Sequence, residues 1–266
     1  MLATVEDYRL RKINNFDSLA LYELQKIILE GNKTILAVMP ERPVHTLIKE
    51  LSQILVQLSD KVVDDFLHAL HAIKHHDELG VRQIRIVDNE IDVAEVNLEE
   101  RCLAFLATQQ PVAKDLRAIV SIIKINDDLK HIGALTLHII ERMPEISPEM
   151  LESFEFENIA LHAGEMVKKS IEAFVTKDNI LARRVGEMDD VIDSIHRKAF
   201  KMATALMKNP NADVDELIAA LSISRYIERM ADHAARIANE VIFLVTGEII
   251  RHTEWSCEYL VSSSHD

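Results

Sequence analysis

Apolar residues recur at intervals of three and four along most of this chain. Between positions 47 and 73 they fall at Leu47, Leu51, Ile54, Leu55, Leu58, Val62, Phe66, Leu70 and Ile73. That spacing places them on one stripe of a helix and predicts a helix from Thr46 to about His76. A second series, Ile84, Val87, Ile91, Ala94 and Leu98, has the 3-4-3-4 rhythm of a packed helix seam. It predicts a helix from Asp77 to about Leu106, ended by the break at 108–111. A third series runs through Ile119, Ile122, Ile125, Leu129, Ile132 and Leu135 and stops near Met143 and Pro144. Glu145 to Pro148 is short, polar and proline-bearing, and reads as a module boundary.

After that boundary the pattern returns. One predicted helix carries Leu151, Phe154, Ile159, Leu161, Met166, Ile171 and Phe174. Another starts at Asp178 and carries Leu181, Val185, Met188, Ile192 and Ile195. The stretch 208–213 is a turn, and a last helix runs from Val214 to Thr246, with Gly247 as its stop. The two halves superpose. Asp77, Asp88 and Asp92 match Asp178, Asp189 and Asp193 at an offset of 101, and residues 126–134 match 224–232 at an offset of 98. A repeat of this length means two similar modules, each of three helices joined by short turns. The expected fold is all-α: two tandem three-helix bundles over 46–144 and 149–251. An N-terminal extension, 1–45, carries a further helix from Asp17 or Ser18 through Leu19, Leu21, Leu24, Ile27 and Ile28. Residues 252–266 read as a flexible tail.

Composition narrows the class. Six Gly and six Pro in 266 residues leave room for long helices. A net charge of −14 supplies no excess cation for phosphate backbones, which argues against nucleic-acid binding. Cys102 and Cys257 have no metal-ligand spacing and read as incidental thiols of a reducing cytoplasm. No apolar run approaches the length of a membrane span, and the first residues show no secretory pattern. The expected protein is cytoplasmic.

The candidate chemistry is acidic. Glu228 and Asp232 lie four apart, so one helix face carries both carboxylates. Asp189 and Asp193 repeat that spacing on the preceding helix. Two readings stand side by side: solvated faces or pairing with arginines such as Arg225 or Arg229, or a bound cation. Oxygen ligands suit Mg²⁺, Mn²⁺ or Ca²⁺, with iron also open. His68, His71 and His75 share helical spacing but lie off the apolar stripe, as a solvated face does. Neither a phosphate-cradling glycine loop nor a nucleophile elbow occurs, so no catalytic residue is assigned.

Residues 110–117 and 226–233 resemble signature segments of the PhoU family, accessory regulators of bacterial phosphate-specific transport, and 244–248 with Arg251 and His252 is similar to the end of that family's second repeat. The resemblance spans about 46–252. It implies two three-helix bundles whose Glu-x-x-x-Asp motifs hold iron, zinc, magnesium or manganese in some members. By position it assigns Glu228, Asp232, Asp189 and Asp193 as metal candidates, with no cofactor required. It also implies a negative regulator of phosphate uptake and starvation signalling. Such a regulator would contact the transporter ATPase and a membrane sensor histidine kinase, be peripheral to the membrane complex, and assemble as a homodimer. Asp115 and Arg117 are weak candidates for partner contact, with an ion pair as the alternative. A metal store, a metal-dependent enzyme, or a paralogue serving another transporter are the competing readings. The first repeat departs from the pattern: Lys130 stands where the motif has Glu, Ala134 where it has Asp, and His131 where Arg is usual. A cation site there would be repulsive, and Lys130 is expected to pair with Asp88 or Asp92 instead.

Overall fold

Helices account for most of the described residues, 43–74 and 77–250 of this computed structural model. They are α1 (Pro43–Lys74), α2 (Glu78–Gln109), α3 (Ala113–Arg142), α4 (Pro148–Ser153), α5 (Phe156–Thr176), α6 (Asn179–Leu206) and α7 (Val214–Thr246), with one 3₁₀ turn, Met143–Glu145. The chain divides into two units, Met1–Pro43 and Val44–Asp266. The expected helix after Asp17, His75, Cys257 and the tail from 252 lie outside the described residues.

Capping explains where the helices start. Asp77 accepts from Leu79 N at 3.1 Å, and Asp178 accepts from Ile180 N at 2.8 Å and Leu181 N at 3.0 Å. Asp213 accepts from Glu216 N at 3.1 Å and opens α7. Each satisfies backbone donors that the first helical turn leaves free. Asp77 and Asp178 are repeat counterparts, so the duplication preserves the cap as well as the stripe. Gly247 ends α7 at φ 84°, its N–H donating to Phe243 O at 2.8 Å.

Two boundaries differ from the sequence expectation. The first helix begins at Pro43, not Thr46, because proline fits the first helical position, where its missing N–H is not needed. The single helix expected from Leu151 to Phe174 is broken: α4 stops at Ser153, and Glu155 takes a left-handed conformation, φ 52°, before α5. Phe154 and Phe156 are buried on either side of Glu155 with their rings stacked at 5.5 Å. Burying both rings is what offsets the backbone cost of a non-glycine residue there.

One hydrophobic core runs through both repeats. It includes Leu55 and Phe66 of α1, Ile91 and Leu98 of α2, Ile125 and Leu129 of α3, Met166 of α5, Ile192 of α6 and Ile227 and Ile237 of α7. The two three-helix bundles are therefore fused rather than merely adjacent. The joint is the antiparallel packing of α3 on α7. Lys124 meets Glu240, Asp128 meets His233, and His138 meets Tyr226, so one number rises as the other falls. At the repeat offset of 98, His138 corresponds to Arg236 and Tyr226 to Asp128. Arg236 does contact Asp128, Nε to Oδ1 at 3.2 Å. The same contact thus occurs twice, as a local twofold requires.

Loss of a single cap should be measurable in this arrangement. Asp178→Ala is expected to cost about 1 kcal/mol of stability in urea denaturation, without change of helical content. An unchanged midpoint would show that the start of α6 is held by packing alone.

Candidate functional site

The acidic positions meet between α6 and α7. α6 supplies Asp189 and Asp193 and α7 supplies Glu228 and Asp232, because a four-residue step brings each pair to one face. Glu228 is only 7% exposed. Arg225, three residues earlier, hydrogen bonds to its Oε1. Its Oε2 is buried with no hydrogen-bond partner, and so is Oδ1 of Asp189. Asp193 pairs with Arg197 at 3.4 Å.

Electrostatics follow from that burial. Desolvation, with Asp232, Asp193 and Glu228 close by, pushes the Asp189 carboxyl from 3.8 up to about 7. Desolvation and Asp232 raise Glu228 to about 7 as well, against the lowering effect of Arg225. Asp232 is raised, chiefly by burial. The arginine reading thus holds in part: Arg225 answers one oxygen of Glu228, and the cluster keeps unanswered acceptors. A buried acceptor without a donor favours a proton or a cation. The donor set is hard oxygen and in that respect fits a divalent ion. Among the described residues, however, no three His, Cys, Asp or Glu side chains already stand together as a metal-holding group.

The first repeat has the compensated version. Lys130 Nζ lies 3.9 Å from Asp92 Oδ1, which decides between the two acids considered for it. Asp88 remains raised, by burial first and Asp92 second, with Lys130 opposing. The sequence reading missed Asp65 of α1. It is 3% exposed, and its Oδ2 has no partner. Burial and Asp88 push its carboxyl from 3.8 up to about 7, against Lys61. The signal was available: Asp65 interrupts the buried run Val62, Val63, Phe66 and Ala69 of α1.

A second polar cluster, also missed, bridges the repeats. Asp128 is 2% exposed. It accepts from Arg236 Nε and lies 2.8 Å from His233 Nδ1. His131 stacks near His233 at 5.1 Å. Lys124 pairs with Glu240 at 2.9 Å. His131, Arg229, Asp232, Asp189 and Arg236 line a cavity of about 470 Å³ beside these groups.

The remaining candidates separate. Asp115 lies 3.6 Å from His45 Nε2 of α1, an interhelical pair at modest range. Arg117 Nε is buried without a partner. Its guanidinium lies beside Gly247, 3.4 Å from where a Cβ would stand, at the electronegative end of α7. His68 and His71 are exposed. Cys102 is fully buried, and its thiol is raised to about 11 by burial, then Glu99, so it is inert.

Comparison with known proteins places both repeats. A family model described as "PhoU domain" matches residues 55–143 and 156–241. A phosphate-specific transport system accessory protein PhoU homolog of Pseudomonas aeruginosa is 33% identical over 199 residues, which is 73% of this chain and 81% of that protein. A homolog of the same description from Thermotoga maritima is 28% identical over 211 residues, 78% of this chain and 89% of that one. The crystal structure of PhoU from Pseudomonas aeruginosa is 30% identical with a TM-score of 0.71, covering 77% of this chain and 99% of that one. A phosphate transport system regulatory protein PhoU from Streptococcus pneumoniae has the same fold, with a TM-score of 0.72 at 24% identity and coverage of 77% and 98%.

Asp65 makes the clearest pH test. Its folded pKa lies above its ordinary value, so the native state binds more protons than the unfolded chain between pH 4 and 7. Stability contributed there is lost as pH rises through about 7. In metal-free buffer, Asp65→Asn is expected to flatten the fall of urea stability between pH 5 and 7.5. A variant with the wild-type pH slope would remove Asp65 from the titration.

Proposed function

The chain belongs to the PhoU family, and from that premise we propose that it is an accessory protein of phosphate transport that works by contact rather than turnover. The observation that carries the reading is the family match across both repeats, together with relatives described as accessory proteins of phosphate-specific transport. In the finer form of the reading, the protein is a homodimer in the cytoplasm. It docks on the ATPase subunit of a phosphate transporter and on a membrane sensor kinase, and lowers uptake and starvation signalling when phosphate is plentiful. A chain of net charge −14 suits a basic docking patch on such a partner. Among the described residues no helix is long and apolar enough to cross a membrane, which fits a protein that acts on a membrane complex from beside it.

A cation belongs to this proposal at the second repeat only. Asp189, Asp193, Glu228 and Asp232 would hold it, supported by the two buried carboxylate oxygens that no donor answers. When bound, a divalent ion supplies the positive charge that Arg225 alone does not. The side chains themselves set the position: Arg225 orients Glu228, and Arg197 restrains Asp193. At the first repeat Lys130 performs that office, so the ion is not needed there.

Deleting the gene should raise phosphate uptake and switch on phosphate-starvation genes in phosphate-rich medium; unchanged uptake and expression would reject the accessory role. Elemental analysis after metal dialysis should find an ion on the wild-type protein and far less on Asp232→Ala. The double variant Lys130→Glu with Ala134→Asp should gain metal over wild type. Equal content in wild type and Asp232→Ala would remove the second-repeat site, whatever the deletion shows.

A further inference from the structure

The break between α4 and α5 opens a groove that nothing above uses. In the first repeat the leading helix, α1, runs unbroken for 32 residues. Its counterpart is cut at Phe154 and Glu155 into a helix of six residues and one of 21. The start of α4 is held by its cap. Ser147 N donates to Glu216 Oε1 of α7 at 2.7 Å, and the Ser147 hydroxyl accepts from Met150 N at 3.3 Å. Beneath the break lies a cavity of about 900 Å³ with Leu67 and Leu70 of α1, Ile139 of α3 and Ile223 of α7 in its floor. Leu161, at 53% exposure, stands on its α5 wall.

The lining has a one-sided charge. Glu152 and Glu155 stand on α4 and the break, His71 of α1 stands opposite, and among the described residues no Lys or Arg lines the cavity. Glu155 is the residue held at φ 52°. The fold thus accepts backbone strain at the point where the acidic rim meets the apolar floor. The walls are helices on every side, and the described residues contain no strand, so no sheet edge is offered for an added strand. A helix laid in a groove, with apolar side chains at i, i+3, i+4 and i+7, is the mode this surface supports.

We propose that this groove is a docking site for an amphipathic helix of a partner protein, with its apolar stripe on Leu67, Leu70 and Leu161 and Lys or Arg on its flanks against the glutamate rim. The occupant is fixed by charge complementarity. Acidic flanks would meet Glu152 and Glu155, whereas basic flanks meet them favourably and fix the direction of the helix. The site shares no lining residue with the acids of α6 and α7, and it stands whether or not those acids hold an ion.

The test uses the full chain and a labelled synthetic peptide of about five helical turns, Leu at the four stripe positions of each heptad pair and Lys on both flanks. Fluorescence anisotropy is expected to show saturable binding with Kd on the order of 10 μM. Glu152→Lys with Glu155→Lys should weaken it about tenfold or more, and should confer binding of the same peptide with Glu in place of Lys. The same reversal at Glu99 and Glu100, exposed on α2 and away from the groove, should change Kd less than about twofold. Leu161→Asp, at a half-exposed position that leaves the core intact, should abolish binding of both peptides. Four results would each overturn the proposal: no saturable binding to the full chain, equal weakening by the α2 reversals, indifference to Leu161→Asp, or binding that requires removal of residues 1–42, which would make the groove the chain's own.

Discussion

The antiparallel seam of α3 on α7 carries the rest of the molecule. α7 packs on α3, α5 and α6, so about half of its residues are buried. A helix enclosed on so many sides has little solvated face left. Small side chains make that enclosure physically possible: Ala219, Ala220, Ala231, Ala234, Ala235 and Ala238 are all buried and let neighbouring helices approach. The buried charges on α7 then find partners across a helix interface or along α7 itself. His233 and Arg236 find Asp128, and Glu240 finds Lys124. Glu228 finds Arg225 for one oxygen only.

That unfilled requirement separates the two repeats. In the first, half-buried Asp88 and exposed Asp92 face Lys130, whose ammonium lies within ion-pair range of Asp92. In the second, the same two positions, Asp189 and Asp193, face two further acids. Like charges brought together under burial raise one another's pKa values and oppose folding unless a proton or cation answers them. The protein tolerates that cost because its core is continuous through both repeats, so the strained half is buttressed by the relaxed one. Asp65 shows that the first repeat is not free of the problem: its carboxylate lies against Asp88 from a third helix, with Lys61 the nearest relief.

Much of this was legible in the residues alone. Period-3.6 stripes give the long helices, and the offset of 101 predicts that Asp77 and Asp178 play the same part, which they do as caps. Lys130 and Ala134 announce the asymmetry before any geometry is known. What stayed hidden depends on tertiary neighbours. Periodicity is blind to the break at Glu155, since Leu151, Phe154, Ile159 and Leu161 continue a helical rhythm across it. Nor does a sequence reveal that Asp128 and His233, 105 residues apart, share one buried site. Charge inside an apolar run is the usable sign for Asp65, a weak one because acids on helices are so common.

Two differences separate the repeats: Glu228 and Asp232 stand where the first has Lys130 and Ala134, and the leading helix of the second is cut in two. A helix can be cut there only because Phe154 and Phe156 are both drawn into the core, which anchors the chain on each side of Glu155. The first repeat keeps the unbroken helix and the lysine, which lies within ion-pair range of Asp92. Duplication thus frees one copy to serve as a frame. The other copy departs from the best local structure at two separate faces, and those faces are where a cation or a partner would change the molecule's energy most.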